Sequence, residues 1–519
     1  MTVQTDERPT PATSDRVVRS PGPLVPDPDF GPTDRLRGWI VTAFITAIAA
    51  ITRFTMLAYP TDAGTPVFDE KHYVPQGWQV LTGGGIEDNP GYGLVVHPPI
   101  GKQMIAIGEA LFGYNGWGWR FSSALVGTLM VLLIIRIVRR MTRSTLIGAI
   151  AGILLIVDGV TFVSSRLGML DIFLAFFVLG ALGCLVVDRD QVRERMAKVY
   201  EEGRIGDSAW GPRLGFRWWR FGAGILLGLA CGTKWSGMYF ILFFGLLSVA
   251  FDLSARRAYR VQRPWVGTAV RDIGPALYAL VVIPLGVYLA SYWAWFTSET
   301  GVDRHAVGNE IGEGGTWSFI PSALRSLWYY SGNVLQFHAG LTNSAGNHHP
   351  WESKPWTWPM GLRPMLYYYA DGEQVTGCGA ASCVKAVMLI GTPAMWWLAL
   401  PMLAWAIWQT FVRRDWRYAV VLTGYGAAYL PWFATLDRQM YYFYAVALAP
   451  FMVMGFALVL GDVLGKASAS VERRTTGLLA VSLYIGLVVA NFVYLWPILT
   501  AMPITPESWQ NHLWLPSWK

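Results

Sequence analysis

Charge is scarce in this chain. Only 14% of its 519 residues are Asp, Glu, Lys or Arg, against 53% hydrophobic, where a soluble domain carries about 25% charged residues. A chain this long and this poor in charge cannot cover its own surface in water. That excludes a string of soluble domains, a disordered protein and a small disulfide scaffold. Cysteine is scarce too, with four in all. Cys184 and Cys231 lie in or beside apolar runs and read as core residues. No second Cys/His pair at zinc spacing accompanies Cys378 and Cys383, which argues against a zinc site. No charged-then-apolar opening with a small-residue cleavage site is present, so a removable signal peptide is not expected. No internal repeat is visible.

What the chain has instead is long apolar runs. They fall near 38–59, 119–138, 145–163, 168–187, 273–296, 386–411, 418–434, 439–461 and 476–497, each of spanning length. A further stretch, 217–252, is too long for one helix and carries Lys234 in its middle. It reads as two short helices that meet at Cys231-Gly-Thr-Lys-Trp-Ser-Gly237. The net charge of +7 sits in short basic loops between the runs, the pattern of membrane orientation rather than of nucleic-acid binding. Six such stretches, at the N-terminus and near 136–143, 188–220, 252–272, 413–417 and 466–474, hold 28 of the 41 Lys and Arg. The sequence therefore predicts an all-α polytopic membrane protein of about eleven spans with the N-terminus inside. Residues 1–37 read as a disordered cytoplasmic tail and 38–519 as a single transmembrane domain. Two large outer loops, 60–118 and 297–385, follow from this topology, the second with an amphipathic helix near Pro321–Phe337. Cys378 and Cys383 pair as a local disulfide if that loop faces an oxidising compartment.

The informative cations break the orientation pattern. Arg120, Arg166, Lys234 and Arg438 all fall at outer ends of spans, where burying an unpaired cation costs about 2–3 kcal/mol on insertion scales. Each needs a partner. Asp171 lies five residues after Arg166 and Asp437 directly precedes Arg438, so ion pairing is one answer. An anionic ligand such as a lipid phosphate, held by several donors at once, is the other, and four cations on one face favour it. The first outer loop carries Phe68-Asp69-Glu70-Lys71-His72-Tyr73 and, further on, His97-Pro98-Pro99-Ile100-Gly101-Lys102. Asp69 and Glu70 can cap a helix, or one of them can serve as a general base beside the anion site. The second loop carries His348-His349-Pro350-Trp351-Glu352-Ser353-Lys354-Pro355-Trp356-Thr357-Trp358. Its aromatic side chains suit either anchoring at the bilayer or stacking on a sugar or an acceptor peptide.

This ordered set resembles the protein O-mannosyltransferases. Asp69-Glu70 resembles the family's Asp-Glu motif after the first span, followed by His97-Pro98-Pro99 with Lys102. Arg120, Ser165-Arg166 with Leu170-Asp171, Lys234-Trp235-Ser236-Gly237 and the His-Pro-Trp-Glu-Ser run also have counterparts. The resemblance covers about 38–497 and implies a GT-C type glycosyltransferase. It implies a polyprenyl phosphate mannose donor and Ser or Thr hydroxyls of exported proteins as acceptors, at the outer face of the cell membrane. The loop 297–385 is too short for the MIR repeats of eukaryotic members, so the bacterial, actinobacterial type is the match. The family's His-His-Tyr after the tenth-span Arg is replaced here by Tyr441-Tyr442-Phe443.

The expected roles follow. Asp69 is the base, and Glu70 positions it or the sugar. Arg120, Arg166, Lys234 and Arg438 bind the donor phosphate, with His97 and Lys102 lining the site. Tyr73, His349, Trp351 and Trp356 contact acceptor or sugar. No metal and no cofactor beyond the lipid-linked sugar is expected, and the export channel is a possible partner. One base without a nucleophilic carboxylate implies single displacement with inversion. Three other readings compete: a GT-C transferase acting on a lipid or cell-wall glycan, a structural or scaffolding membrane protein, which leaves the four outer cations unexplained, and a secondary transporter. The last would place its ionisable groups near the midplane on repeated broken helices.

Overall fold

The computed structural model describes residues 32–88, 94–372, 374–465 and 468–519. The greater part of the expected tail, residues 1–31, lies outside the described residues. Helix α1 (Pro32–Phe54) already begins at Pro32, earlier than the expected boundary at 38. Then follow α2 (Glu70–Thr82), α3 (Ile100–Phe112), α4 (Gly116–Thr142), α5 (Thr145–Ile156), α6 (Gly159–Ser164) and α7 (Leu170–Glu201). The stretch 217–252 does break in two, as α8 (Trp218–Cys231) and α9 (Gly237–Ala258), with Lys234 in the turn between them. Six helices among the described residues are long and apolar enough to cross a membrane: α1, α4, α7, α9, Ile273–Ser291 and Val471–Thr500. Three shorter apolar helices are α5, α8 and Ala449–Leu464. The expected eleven runs are all largely helical, but several are interrupted, so length alone does not make each one a span.

Local chemistry sets these boundaries. The Asn115 side chain accepts from the backbone N–H of Trp117 and Gly118 at 3.0 and 3.2 Å and opens α4, while Ser144 caps α5 through Ile147 N–H. Helix α3 crosses α4 at a glycine contact. A Cβ on Gly108 would lie 2.2 Å from the Gly118 carbonyl oxygen, so neither helix can approach the other so closely with a larger residue there.

The structure corrects the reading of 386–411 as a single span. A two-stranded antiparallel hairpin, β1 (Met365–Gly372) and β2 (Cys383–Leu389), occupies its start, and the long helix begins only at Ala399. Cys378 and Cys383 are joined by a disulfide at the hairpin's tip. The amphipathic helix of the same loop runs Ser322–Gly340. It buries Leu327, Tyr330 and Val334 against Val95, Tyr292 and Trp295.

At the end of the bundle rich in basic loops, many cations are internally paired. Arg217 bonds Asp188 and Asp252, Arg256 bonds Asp272 in a fork, and Arg140 and Arg143 share Asp190. These pairs tie α4, α7, α8 and α9 together. The catalytically suggestive residues collect at the other end.

Candidate active site

Two backbone ties bring the motifs together. The Gly168 N–H, just before α7, donates to Glu70 Oε1 at 2.7 Å, so the start of α2 is held against the start of α7. That places Asp69 and Asp171 on one wall. The Ile100 N–H donates to the Gly232 carbonyl at 2.8 Å, so the start of α3 is held against the α8–α9 turn. That places His97 beside Lys234. The result is a cavity of about 520 Å³ lined by Asp69, Tyr73, His97, Asp171, Lys234, His338 and Arg438, with Tyr441, Phe443 and Tyr444 among its aromatic wall.

The three carboxylates nearest the cavity differ in their partners. Glu70 is fully buried and takes Arg120 in a fork, Nε to Oε1 at 2.8 Å and Nη2 to Oε2 at 2.7 Å, besides the N–H groups of Gly168 and Val67. Asp171 receives Lys234 Nζ on both oxygens at 2.8 Å. Asp69 makes no ion pair among the described residues. It stands at the N-cap of α2 but its side chain accepts no capping bond, so helix capping does not account for it. Desolvation pushes its carboxyl up to about 6, opposed chiefly by Lys234 and His72.

The cations divide in two. Lys234 and Arg438 line the cavity. Lys234 Nζ also lies 5.3 Å from the Phe443 ring centre, and Arg438 Nη2 meets His338 Nδ1 at 3.0 Å while its buried Nε has no hydrogen-bond partner among the described residues. Arg120 and Arg166 are not brought to the cavity. Arg120 is spent on Glu70 and the Leu57 carbonyl. Arg166 donates to the carbonyls of Thr52, Arg53, Thr55 and Met56 at the end of α1, satisfying acceptors that a helix C-terminus leaves open. A single anion site made from all four cations is therefore not what the chain builds. Neither sequence-adjacent ion pair forms: Asp171 takes Lys234 rather than Arg166, and Asp437 takes Ser344 rather than Arg438.

Lys102 does not line the cavity either. It is fully buried, bonded to Glu87 at 2.8 Å and to the His97 carbonyl, and so fixes the backbone that presents His97. Burial, then Lys234 and Lys102, hold the His97 ring well below its usual range. Burial, then Arg438, lowers His338 to about 4. The two rings lie 5.8 Å apart, and Tyr73 is 5.9 Å from His97. His349 does not line the cavity; its ring lies 5.4 Å from that of the cavity-lining Tyr441. Trp351 lies under Arg363 and Trp356 is exposed; neither lines the cavity. Sequence reasoning missed His338, which follows the expected amphipathic helix by one residue, and Glu87, which had no motif to mark it. Tyr441 and Phe443 do face the cavity, while Tyr442 is buried against Trp396.

Comparison with known proteins adds an independent line. Residues 113–298 match the family model described as dolichyl-phosphate-mannose-protein mannosyltransferase, and 323–518 match the C-terminal four TMM region of protein-O-mannosyltransferase. The chain is 64% identical to the polyprenol-phosphate-mannose–protein mannosyltransferase of Mycobacterium tuberculosis, over 97% of this chain and 96% of the relative. The chain belongs to this mannosyltransferase family. The proteins of the same name from Mycolicibacterium smegmatis and Corynebacterium glutamicum are 61% and 46% identical, covering 100% of both chains in the first case and 92% and 93% in the second. Among solved structures, the Saccharomyces cerevisiae Pmt1-Pmt2 complex bound to the sugar donor matches with a TM-score of 0.70 at 15% identity, covering 93% of each chain. At that identity the likeness concerns the fold, which is of the GT-C type. This family member is a multi-pass membrane glycosyltransferase.

Proposed function

We propose that this chain transfers mannose from polyprenyl phosphate mannose to Ser or Thr hydroxyls of exported proteins, at the outer face of the cell membrane. The name shared by its relatives supports the donor and the protein acceptor. The observation that carries the mechanism is the state of the three carboxylates: Glu70 and Asp171 are held by cations, and of the three only Asp69, on the cavity wall, has no ion pair among the described residues. A group tuned to about 6 suits a general base near neutral pH.

In the proposed step Asp69 takes the acceptor hydroxyl proton while the hydroxyl oxygen attacks the anomeric carbon. The bond from that carbon to the phosphate oxygen breaks, and its electron pair leaves with the phosphate. Lys234 and Arg438 stabilise the charge as it develops, with neutral His97 and His338 beside them as hydrogen-bonding groups. With one free carboxylate the displacement is single and the product has the opposite anomeric configuration to the donor. The cations do the work a divalent metal would do, so the reaction is metal-independent. An acceptor still unfolded as it emerges from an export channel would present its hydroxyls in reach.

The test is mannose transfer by purified protein from polyprenyl phosphate mannose to a Ser/Thr-rich peptide, compared with a glycolipid acceptor, with the anomeric configuration read by NMR and EDTA in a parallel reaction. Transfer to peptide with inversion, unaffected by EDTA, is expected. Transfer to glycolipid alone replaces the protein acceptor; retention removes the single displacement.

A further inference from the structure

The hairpin has one satisfied edge and one open edge. On β2, Val384 exchanges both backbone bonds with Ile504, at 2.8 and 3.0 Å, and the Ala386 carbonyl accepts from Ala501 N–H at 3.1 Å. Val384 and Ala386 therefore turn away from β1. Because strand residues alternate in direction, Cys383, Lys385 and Val387 turn toward β1. Their opposite numbers are Gly372, Ala370 and Tyr368. That leaves Tyr369 and Asp371 with their N–H and C=O groups on the far side of β1. Both residues are exposed, and between Met365 and Asp371 no backbone bond to anything but β2 is made among the described residues.

The open edge leads to the cavity. Tyr367, two residues before Tyr369, packs on Phe68 with ring centres 4.7 Å apart. Phe68 directly precedes Asp69 and touches the cavity-lining Phe443 at 6.3 Å. The Tyr367 hydroxyl is buried without a partner among the described residues. A chain paired with Tyr369 and Asp371 runs on toward Tyr367, the β1 residue whose ring meets Phe68.

We infer that the free edge of β1 is the acceptor-docking surface: an extended segment of the acceptor polypeptide adds to it as a third strand and feeds its hydroxyl toward Asp69. The inference rests on the protein-acceptor reading above and names how that acceptor is held. Backbone pairing is independent of side-chain identity, so it suits an enzyme whose acceptors share a hydroxyl and an extended backbone. The other edge already binds a segment of this chain in the same way, through Ile504.

The experiment is a backbone N-methylation scan of a Ser-containing acceptor peptide with wild-type protein, together with Tyr369→Pro on the enzyme. Proline at 369 removes an edge donor without removing a β1–β2 bond. Losing one backbone bond should raise the peptide KM about three- to tenfold. N-methylation should do so at every second residue on one side of the Ser and not at the residues between. Tyr369→Pro should raise the peptide KM and leave the donor KM unchanged. Normal transfer with no alternation in the scan overturns the docking mode while the function stands. No transfer even to the unmodified peptide overturns the protein-acceptor reading and the docking mode with it. A doubled particle mass that Tyr369→Pro returns to monomer assigns the edge to a second copy and also overturns it.

Discussion

Glu70 and Arg120 meet in a forked ion pair at 2.7 and 2.8 Å, both side chains shut off from solvent. The pair joins α2 to α4, and Glu70 also holds the turn before α7 through Gly168. Its work is to fix the backbone next to Asp69. Removing one member leaves the other as an uncompensated buried charge, at a cost of about 3–5 kcal/mol. Glu70→Gln and Arg120→Met should therefore lower thermal stability sharply. The double variant should recover part of the loss, because no lone charge remains. Thermal unfolding in detergent checks this. Full stability in the single variants, with donor binding alone lost, would return Arg120 to the phosphate.

Lys234 and Asp171 make the second pair, but inside the cavity. Lys234→Met should weaken donor binding at least tenfold, since in the proposed step it removes a cation that faces the phosphate and leaves Asp171 unneutralised in the cavity. Asp171→Asn should have a smaller effect, because the cation survives. Equilibrium binding of the lipid phosphate to each variant gives the comparison, and equal losses in both would contradict this division of labour.

The pH profile should have one limb. In the proposed step Asp69 acts ionised, and burial raises its carboxyl to about 6, so kcat/KM should rise with pH through about 6 and then level off. His97 and His338 are held neutral across this range, so neither adds a second limb. A bell shape with a fall near 7 would assign an acid role to a group this account leaves neutral.

Glu109, on α3 in the loop 60–118, is buried with no hydrogen-bond partner for either oxygen among the described residues. Burial raises it from 4.5 to about 8. A carboxyl whose folded value lies above its unfolded one loses stability as pH rises from the unfolded to the folded value. Glu109→Gln should thus change the melting temperature little near pH 4.5, raise it progressively toward pH 8, and add nothing beyond. A pH-independent difference would mean the carboxylate has a partner.

The sequence made the bundle legible because long apolar runs and clustered cations report membrane burial directly. It also marked Lys234 and Arg438, since cations at span ends need a partner, and Asp69 and His97, through the Asp-Glu and His-Pro-Pro motifs of the first outer loop. It did not distinguish Arg120 and Arg166 from Lys234. All three are cations at span ends, and only the packing decides which of them finds partners inside the protein. The hairpin was hidden because β2, Cys383-Val-Lys-Ala-Val-Met-Leu389, is as apolar as the helix after it, with only the short Gly391-Thr392-Pro393 turn between them. His338 and Glu87 carry no local signal; distant elements bring one beside Arg438 and the other beside Lys102.

The central claim is that Asp69 is the base. It is tested most directly by measuring mannose transfer from polyprenyl phosphate mannose to a Ser/Thr-rich peptide with wild-type protein and Asp69→Asn side by side, with donor binding measured in both. The substitution keeps the size of the side chain and removes the proton acceptor. The account predicts a loss of about 100-fold or more in kcat with donor affinity intact. Transfer by Asp69→Asn at close to the wild-type rate would contradict it.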